Sequence, residues 1–378
     1  MKRYRIGFLT SFDPRDKRKL SGSTYHLLRA VQRDLGDVEV LGPMKTRRIL
    51  SGILNRIGKK FKRPYNLDHS LYMAFRYAGF FNKRLKNKKF DFIIAPRSST
   101  EIALVRTNIP ILYYSDTTFA SLYNYYEWFS GFMALSEWEG NLVEKMAHKR
   151  SRWVVFTSQW AADSAINTYH TDPKKVFVVP FGPNLDEIPD RAEVLQIKQN
   201  DVCRLLFLGV EWERKGGDIA FETLKELKKN GLKASLTVCG CIPPVSVVDD
   251  DLHVIPFINK NNFDEYKQFE TLLKSHHFLI LPTRAECFGV VFCEASAFAI
   301  PSITTDTGGI GGAVYNGVNG FRMPFSARGE EYAAKIATVF NEYETNYIPL
   351  AISSRDLFES HLNWENVSDK LREIIESK

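Results

Sequence analysis

LPTRAECFGVVFCEASAFAIPSITTDTGG, residues 281–309, is the stretch from which the fold of this chain is read. It begins at the end of an apolar run (FLILP, 278–282) and crosses a short loop holding Glu286. It then takes on helical character from Phe288 to Phe298 and re-enters an apolar run (PSITT, 301–305) before a glycine-rich turn. Strand, loop, helix, strand is one winding of a parallel α/β sheet. Free amides at the start of a helix favour an anionic phosphate, which makes Phe288, Gly289 and Val290 candidate phosphate neighbours. Glu294, about a turn into the helix, can accept two hydrogen bonds from vicinal ribose hydroxyls. Glu286 faces the opposite side of a diphosphate, where it can hold hydroxyls of a transferred sugar. One element is thus expected to grip both ends of a nucleotide sugar.

The same winding recurs outward from this stretch. RLLFLG (204–209), SLTVCG (235–240) and LHVIPF (252–257) precede it, with helical patterns between them. An earlier series runs YRIGFLT (4–10), VEVLG (38–42), DFIIA (91–95), ILYYS (111–115) and WVVFTS (153–158). Continuous apolarity, as opposed to alternation, marks strands buried on both faces of a parallel sheet. The reading is an α/β protein with two Rossmann-like doubly wound domains facing each other across a cleft. A chain of 378 residues exceeds what one core usually serves. The expected layout is a first domain at 1–182, a linker at 183–200 where Pro183, Pro189 and charged residues follow the strand VFVVP, a second domain at 201–360, and a terminal helix at 361–378 crossing back to the first domain.

Composition narrows the class. Apolar content of 44% and charged content of 25% are ordinary for a soluble globular protein, and no run of about 20 apolar residues offers a membrane span. Charges at Asp13, Arg15 and Asp16 interrupt the N-terminal segment before a signal-type apolar core forms. The five cysteines, an odd number, fit structural thiols of a reducing cytoplasm. No Cys/His pair of finger spacing follows Cys239 and Cys241, so a metal reading of the two fails on spacing. Residues 44–90 hold fourteen Lys or Arg against the single acid Asp68, a local +13 in a chain of net +7. Within residues 45–63 an apolar stripe (Ile49, Leu50, Ile53, Leu54, Ile57, Phe61) alternates with cations, which suits an anionic membrane surface, a polyanionic acceptor or a helix docked on its own domain. No recognisable nucleic-acid-binding module accompanies it.

The Glu-x7-Glu pair, set between PTRAE, CFG, EASAFAIP and TDTGG, resembles the donor-binding signature of glycosyltransferase family 4, which has the GT-B fold. The resemblance extends over much of the second half. FLGVEWERKGGDIAFETLKEL is similar to the family segment that binds the diphosphate, and Lys215 with Gly216 matches its Lys-Gly element. Val210 stands where the family usually has arginine, and Arg214 is the candidate replacement. By geometry alone this loop already reads as a phosphate site, with amides at a helix start beside Arg214 and Lys215. HVIPFINKNNFDEY is similar to the family segment that touches the base, a role falling on Phe257 and Ile258 unless they fill the core. GGIGGAVYNGVNGFRMP resembles the family's glycine-rich loop, with Gly308 and Gly309 allowing close backbone approach.

In the first domain, Gly22 lies where similar members have a Gly-Gly pair bordering the donor phosphate; a helix cap by Ser21 or Ser23 is the alternative. Asp116, at the end of the ILYYS strand, stands where many members carry a histidine. Its carboxylate could bind a sugar hydroxyl, orient the acceptor or stabilise positive charge near a developing oxocarbenium ion, or else cap the following turn. Phe119, Tyr123, Tyr125, Tyr126 and Trp128 could stack on acceptor rings or form core. The resemblance implies a retaining, metal-independent hexosyltransferase, with Asp116, Glu286 and Lys215 at the reacting centre and no cofactor beyond the donor, a UDP-sugar favoured. The implied acceptor is a glycan or lipid-linked saccharide in cell-envelope polysaccharide or lipopolysaccharide synthesis, in the cytoplasm or peripheral on the membrane's inner face. A degenerate nucleotide- or glycan-binding member and a sugar epimerase of the same fold are the rival readings.

Overall fold

The computed structural model describes residues 2–44, 63–196, 198 and 200–377. All but Arg63 of the basic stretch 45–63 lies outside the described residues. The chain divides into two units, residues 1–180 with 364–378, and residues 181–363.

The first unit is built on a six-stranded sheet of β1 (Tyr4–Phe8), β2 (Gly36–Val40), β3 (Phe92–Pro96), β4 (Ile111–Ser115), β5 (Trp153–Phe156) and β6 (Val176–Val178). Their order is β2-β1-β3-β4-β5-β6. Every pairing is parallel, with Ile6 opposite both Val38 and Phe92, and Tyr113 opposite Val154. The apolar runs are continuous because β3, β4 and β5 are buried at every position. Each fully buried large side chain among them contributes roughly 1.5–3 kcal/mol. The chain winds outward from β1 to β2 and then from β3 to β6, so the switch in winding direction falls between β1 and β3.

The second unit repeats the plan with β7 (Cys203–Leu208), β8 (Ala234–Cys239), β9 (Leu252–Ile255), β10 (Phe278–Leu281), β11 (Ser302–Thr305) and β12 (Gly320–Met323). The order is β12-β11-β10-β7-β8-β9, again all parallel. Here the switch lies between β7 and β10, and ligands in such sheets sit at the carboxyl ends of the strands at that point. β12 is the strand missing from the expected series. It begins on glycine and carries Arg322, so no apolar run announces it.

The stretch 183–200 is not a linker. Leu185 and Val194 are buried, the Asp186 amide donates to the Tyr266 hydroxyl at 3.2 Å, and Arg191 bridges Asp356 and Glu359 at 2.6 Å each. Its prolines and charges mark a surface segment of the second unit, fastened by side chains that composition does not register. The last helix, Trp364–Glu376, belongs to the first unit. It buries Val367 and Leu371, and Arg372 donates to the Lys2 carbonyl at 2.8 Å, while the Tyr4 hydroxyl donates to Glu376 at 2.6 Å. All five cysteines are free thiols. Among the described residues no helix is long and apolar enough to cross a membrane.

Leu371 is fully buried at the end of the chain, so Leu371→Ala should cost about 2–5 kcal/mol through the lost burial and the cavity left behind. Hydrogen exchange should show the protection loss in residues 23–40 and none in residues 203–281.

Candidate functional site

Among the described residues, three α-helices start at a glycine in the left-handed region, and each follows a strand beside a switch point. Gly22 (φ 87°) precedes Ser23–Ala30, Gly216 (φ 74°) precedes Gly217–Lys229, and Gly289 (φ 85°) precedes Val290–Ala297. None of the three has a side-chain cap. Elsewhere Ser70, Thr118, Ser158 and Asn262 accept from first-turn amides and satisfy them internally. At two of these starts the first amide is taken within the chain, Ser23 by the Leu20 carbonyl and Gly217 by the Trp212 carbonyl at 2.8 Å, so what the starts offer an anion is the positive end of a helix dipole with no side-chain oxygen in the way. Glycine is required at Gly216, where a Cβ would lie 2.1 Å from the Pro282 carbonyl oxygen, and at Gly289, where it would lie 2.5 Å from the Phe292 ring. The Ser23 hydroxyl donates to the Leu20 carbonyl at 2.8 Å, turned back onto the preceding turn.

In the second unit the loops after β7 and β10 are stitched together. The Arg284 amide donates to the Arg214 carbonyl at 2.7 Å, Thr283 Oγ1 donates to that same carbonyl at 3.1 Å, and Arg214 Nη1 donates to the Ala285 carbonyl at 2.9 Å. Lys215 Nζ then reaches Glu286 Oε2, with both side chains 12% exposed. From the next loop, the Gly309 amide donates to the Glu286 carbonyl at 3.1 Å. The structure thus brings Arg214, Lys215, Gly216, Glu286, Phe288, Gly289 and Val290 to one place, the carboxyl ends of β7 and β10. Arg214 also forks onto Glu211 (2.7 and 3.0 Å), and this contact holds the Glu211 carboxyl below its usual range. Val210 is 69% exposed, so the arginine position of the family is vacated toward solvent.

Glu294 lies on the inner face of its helix with a side chain only 6% exposed, and Lys260 Nζ sits 2.9 and 3.0 Å from its two carboxylate oxygens. Lys260 also lies 3.9 Å above the centre of the Phe269 ring. Sequence reading passed over Lys260; its one signal was a cation in the loop after β9, among other polar residues. Phe257 is 68% exposed and Ile258 partly so, which overturns the core-filling alternative for Phe257. Burial raises the Cys239 thiol to about 11 and lifts Cys293 well above its ordinary value, as expected of inert packed thiols.

In the first unit Asp116 does not cap the following turn, since Thr118 Oγ1 accepts from the Ser121 amide at 3.2 Å. Asp116 is instead held by Arg97, Nε to Oδ1 at 2.9 Å and Nη2 to Oδ2 at 2.7 Å. A carboxylate matched in this way is not the bare negative charge expected beside an oxocarbenium ion, although its oxygens can accept further hydrogen bonds. Of the aromatic group, Phe119 and Tyr126 are buried, Phe119 stacks on Tyr123, and Trp128 is exposed. Arg97 was also missed, because a lone arginine after a strand resembles any surface cation.

Two parallel six-stranded units, with phosphate-type helix starts at their switch points, define the GT-B class of glycosyltransferase fold. Residues 21–187 match the family described as Glycosyltransferase Family 4, and residues 203–342 match the Glycosyl transferases group 1 domain. The chain belongs to glycosyltransferase family 4. It is 28% identical over 171 residues to an uncharacterized glycosyltransferase of Methanocaldococcus jannaschii, 45% of this chain and 47% of that protein. It is 26% identical over 253 residues to a glycogen synthase of Mycobacterium tuberculosis, 63% of this chain and 59% of that one. The chain thus spans about half the length of these curated relatives. The solved structure of Anabaena HepE in complex with UDP and glucose superposes with a TM-score of 0.63 over 100% of both chains at 14% identity.

A side chain at position 216 must displace the Pro282 carbonyl and adopt a left-handed conformation. Gly216→Ala should therefore destabilise the second unit by about 1–3 kcal/mol, read as a lower denaturant midpoint by fluorescence of Trp212, which packs against Gly217.

Proposed function

We propose that the protein transfers a hexose from a nucleotide diphosphate sugar, a UDP-sugar in first place, to a hydroxyl of a glycan or lipid-linked saccharide, with retention of anomeric configuration. The observation that carries this reading is the convergence of two uncapped helix starts, Lys215, Arg214 and two nearly buried carboxylates at the β7/β10 switch point. The helix amides and Lys215 would meet the diphosphate, Glu294 the ribose diol and Glu286 the sugar hydroxyls, with Phe257 and Ile258 beside the base. As the bond from the anomeric carbon to the diphosphate oxygen breaks, charge builds on that oxygen, where fixed cations and amides stabilise it most. In the proposed front-face path the acceptor oxygen bonds the anomeric carbon and its proton passes to the leaving diphosphate. The positive groups named here would carry the neutralising role without a divalent metal. The cell-envelope setting rests on the family resemblance.

Glu286 and Glu294 both have lysine partners, so a bound donor would exchange or share those partners instead of meeting bare charges. Glu294→Ala should weaken nucleotide binding by about 1–3 kcal/mol through lost charged hydrogen bonds, measured by calorimetry, whereas Glu286→Ala should mainly lower turnover. The reading fails if both changes are without effect, or if UDP, GDP and ADP sugars produce neither thermal stabilisation nor slow donor hydrolysis. Tight binding of UDP without any turnover would instead favour a nucleotide-binding protein that has lost catalysis.

We also propose peripheral binding to anionic membrane through residues 45–63, on the local charge and the apolar stripe. The chain should co-sediment with phosphatidylglycerol vesicles at low salt and be released at high salt, and equal retention on phosphatidylcholine vesicles would count against it.

A further inference from the structure

The switch point of the first unit lies between β1 and β3, and Arg97 is the first residue after β3. Its φ of 47° places it in the left-handed region, which a long β-carbon-bearing side chain rarely adopts. The conformation is over-determined by its surroundings. The Arg97 amide donates to the Tyr114 carbonyl at 2.8 Å, and the guanidinium turns across the sheet edge to grip Asp116 with two parallel bonds of 2.9 and 2.7 Å. Both side chains are largely covered, at 18% and 17% exposed. A strained residue that aims a bidentate fork at a strand-end carboxylate is a built feature, of the kind found where geometry matters to function.

Hydroxyl groups share this edge. Ser98 Oγ donates to the Pro96 carbonyl at 2.8 Å, and Ser115 Oγ donates to the Thr117 carbonyl at 2.8 Å. Thr157, next after β5, donates its amide to the Ser115 carbonyl at 3.1 Å, and its buried Oγ1 has no hydrogen-bond partner among the described residues. Ser98, Ser115 and Thr157 are buried and pack beneath the edge, so the polar group left at its surface is a carboxylate whose charge is already matched, which suits an uncharged hydroxyl better than a cation.

We infer that Arg97 is a positioning residue for the acceptor: its guanidinium fork fixes the plane of the Asp116 carboxylate so that the remaining lone pairs of that carboxylate receive the hydroxyl that attacks the donor. The inference rests on the transferase reading above and adds a named residue and a division of labour to it. Arg97 itself touches neither substrate. Asp116 orients the nucleophile by hydrogen bonding, and the proton passes to the leaving diphosphate as proposed above.

The test uses the full chain with UDP-glucose and water as the acceptor, so that no sugar acceptor need be known. Arg97→Gln should lower kcat for UDP-glucose hydrolysis by about tenfold or more, with KM and UDP affinity nearly unchanged. Arg97→Lys, which keeps the charge and loses the fork, should recover part of that rate. The exchange Arg97→Asp with Asp116→Arg should restore the melting temperature, because an ion pair is present again, without restoring kcat, because the carboxylate stands on the wrong strand. Recovery of both quantities in the exchanged pair would overturn the inference, since any ion pair would then suffice. Unchanged kcat in every variant would overturn it as well. If Arg97→Gln does not fold, Arg97→Lys and the exchanged pair carry the same decision. Failure of the unaltered chain to hydrolyse UDP-glucose while still binding UDP would remove the transferase reading, and this inference with it.

Discussion

The second unit depends on the stitching of two loops across the point where its sheet changes winding direction. β7 and β10 are hydrogen-bonded neighbours although some seventy residues separate them in sequence, and the loops that leave their carboxyl ends diverge to opposite sides. Left open, such a crevice would expose backbone groups of both loops. Here Arg214 answers the problem from both of its ends, with its carbonyl accepting from Arg284 and Thr283 and its guanidinium donating to Ala285. Lys215 and Glu286 then meet as a consequence, because each is the neighbour of a residue already fixed. The site is therefore positioned by hydrogen bonds onto the backbone carbonyls of the two loops, with Lys215 and Glu286 carried along.

That arrangement sets the electrostatics. Glu286 and Glu294 are nearly buried, and a buried carboxylate without a partner is costly, so each has a lysine from another loop. These charges are thus held as pairs. The helix starts behave differently, since a glycine provides the turn but no capping oxygen, and the positive end of each helix dipole has no carboxylate or hydroxyl of its own cap against it. Ionic groups are internally matched here, while the helix dipoles keep their positive ends toward the carboxyl edge of the sheet.

The first unit follows the same topological rule with different chemistry. Its switch point carries the third glycine-started helix and the Arg97–Asp116 fork, set among serine and threonine hydroxyls. The terminal helix completes this unit by covering the Ser23–Leu35 segment, so the stability of the helix that Gly22 begins is tied to the last residues of the chain.

Sequence by itself determined the layers and the class. Apolar runs announced ten of the twelve strands among the described residues, most clearly β3, β4, β5 and β10, which are buried at every position, and the strand VFVVP was visible ahead of its turn. Gly289 and Glu294 were legible as the start and an inner position of one helix, and Glu286 as a residue of the short loop before it. β12 was not legible, because a glycine and an arginine interrupt its apolarity, and 183–200 passed for a linker because proline and charge describe a surface segment as well as a free one. Which cation meets which carboxylate was decided only by tertiary structure. Lys260 lies 34 residues from Glu294 and Arg97 19 residues from Asp116, and those partnerships arise from parallel strand order, which brings distant loops to one edge and leaves no periodicity along the chain to announce them.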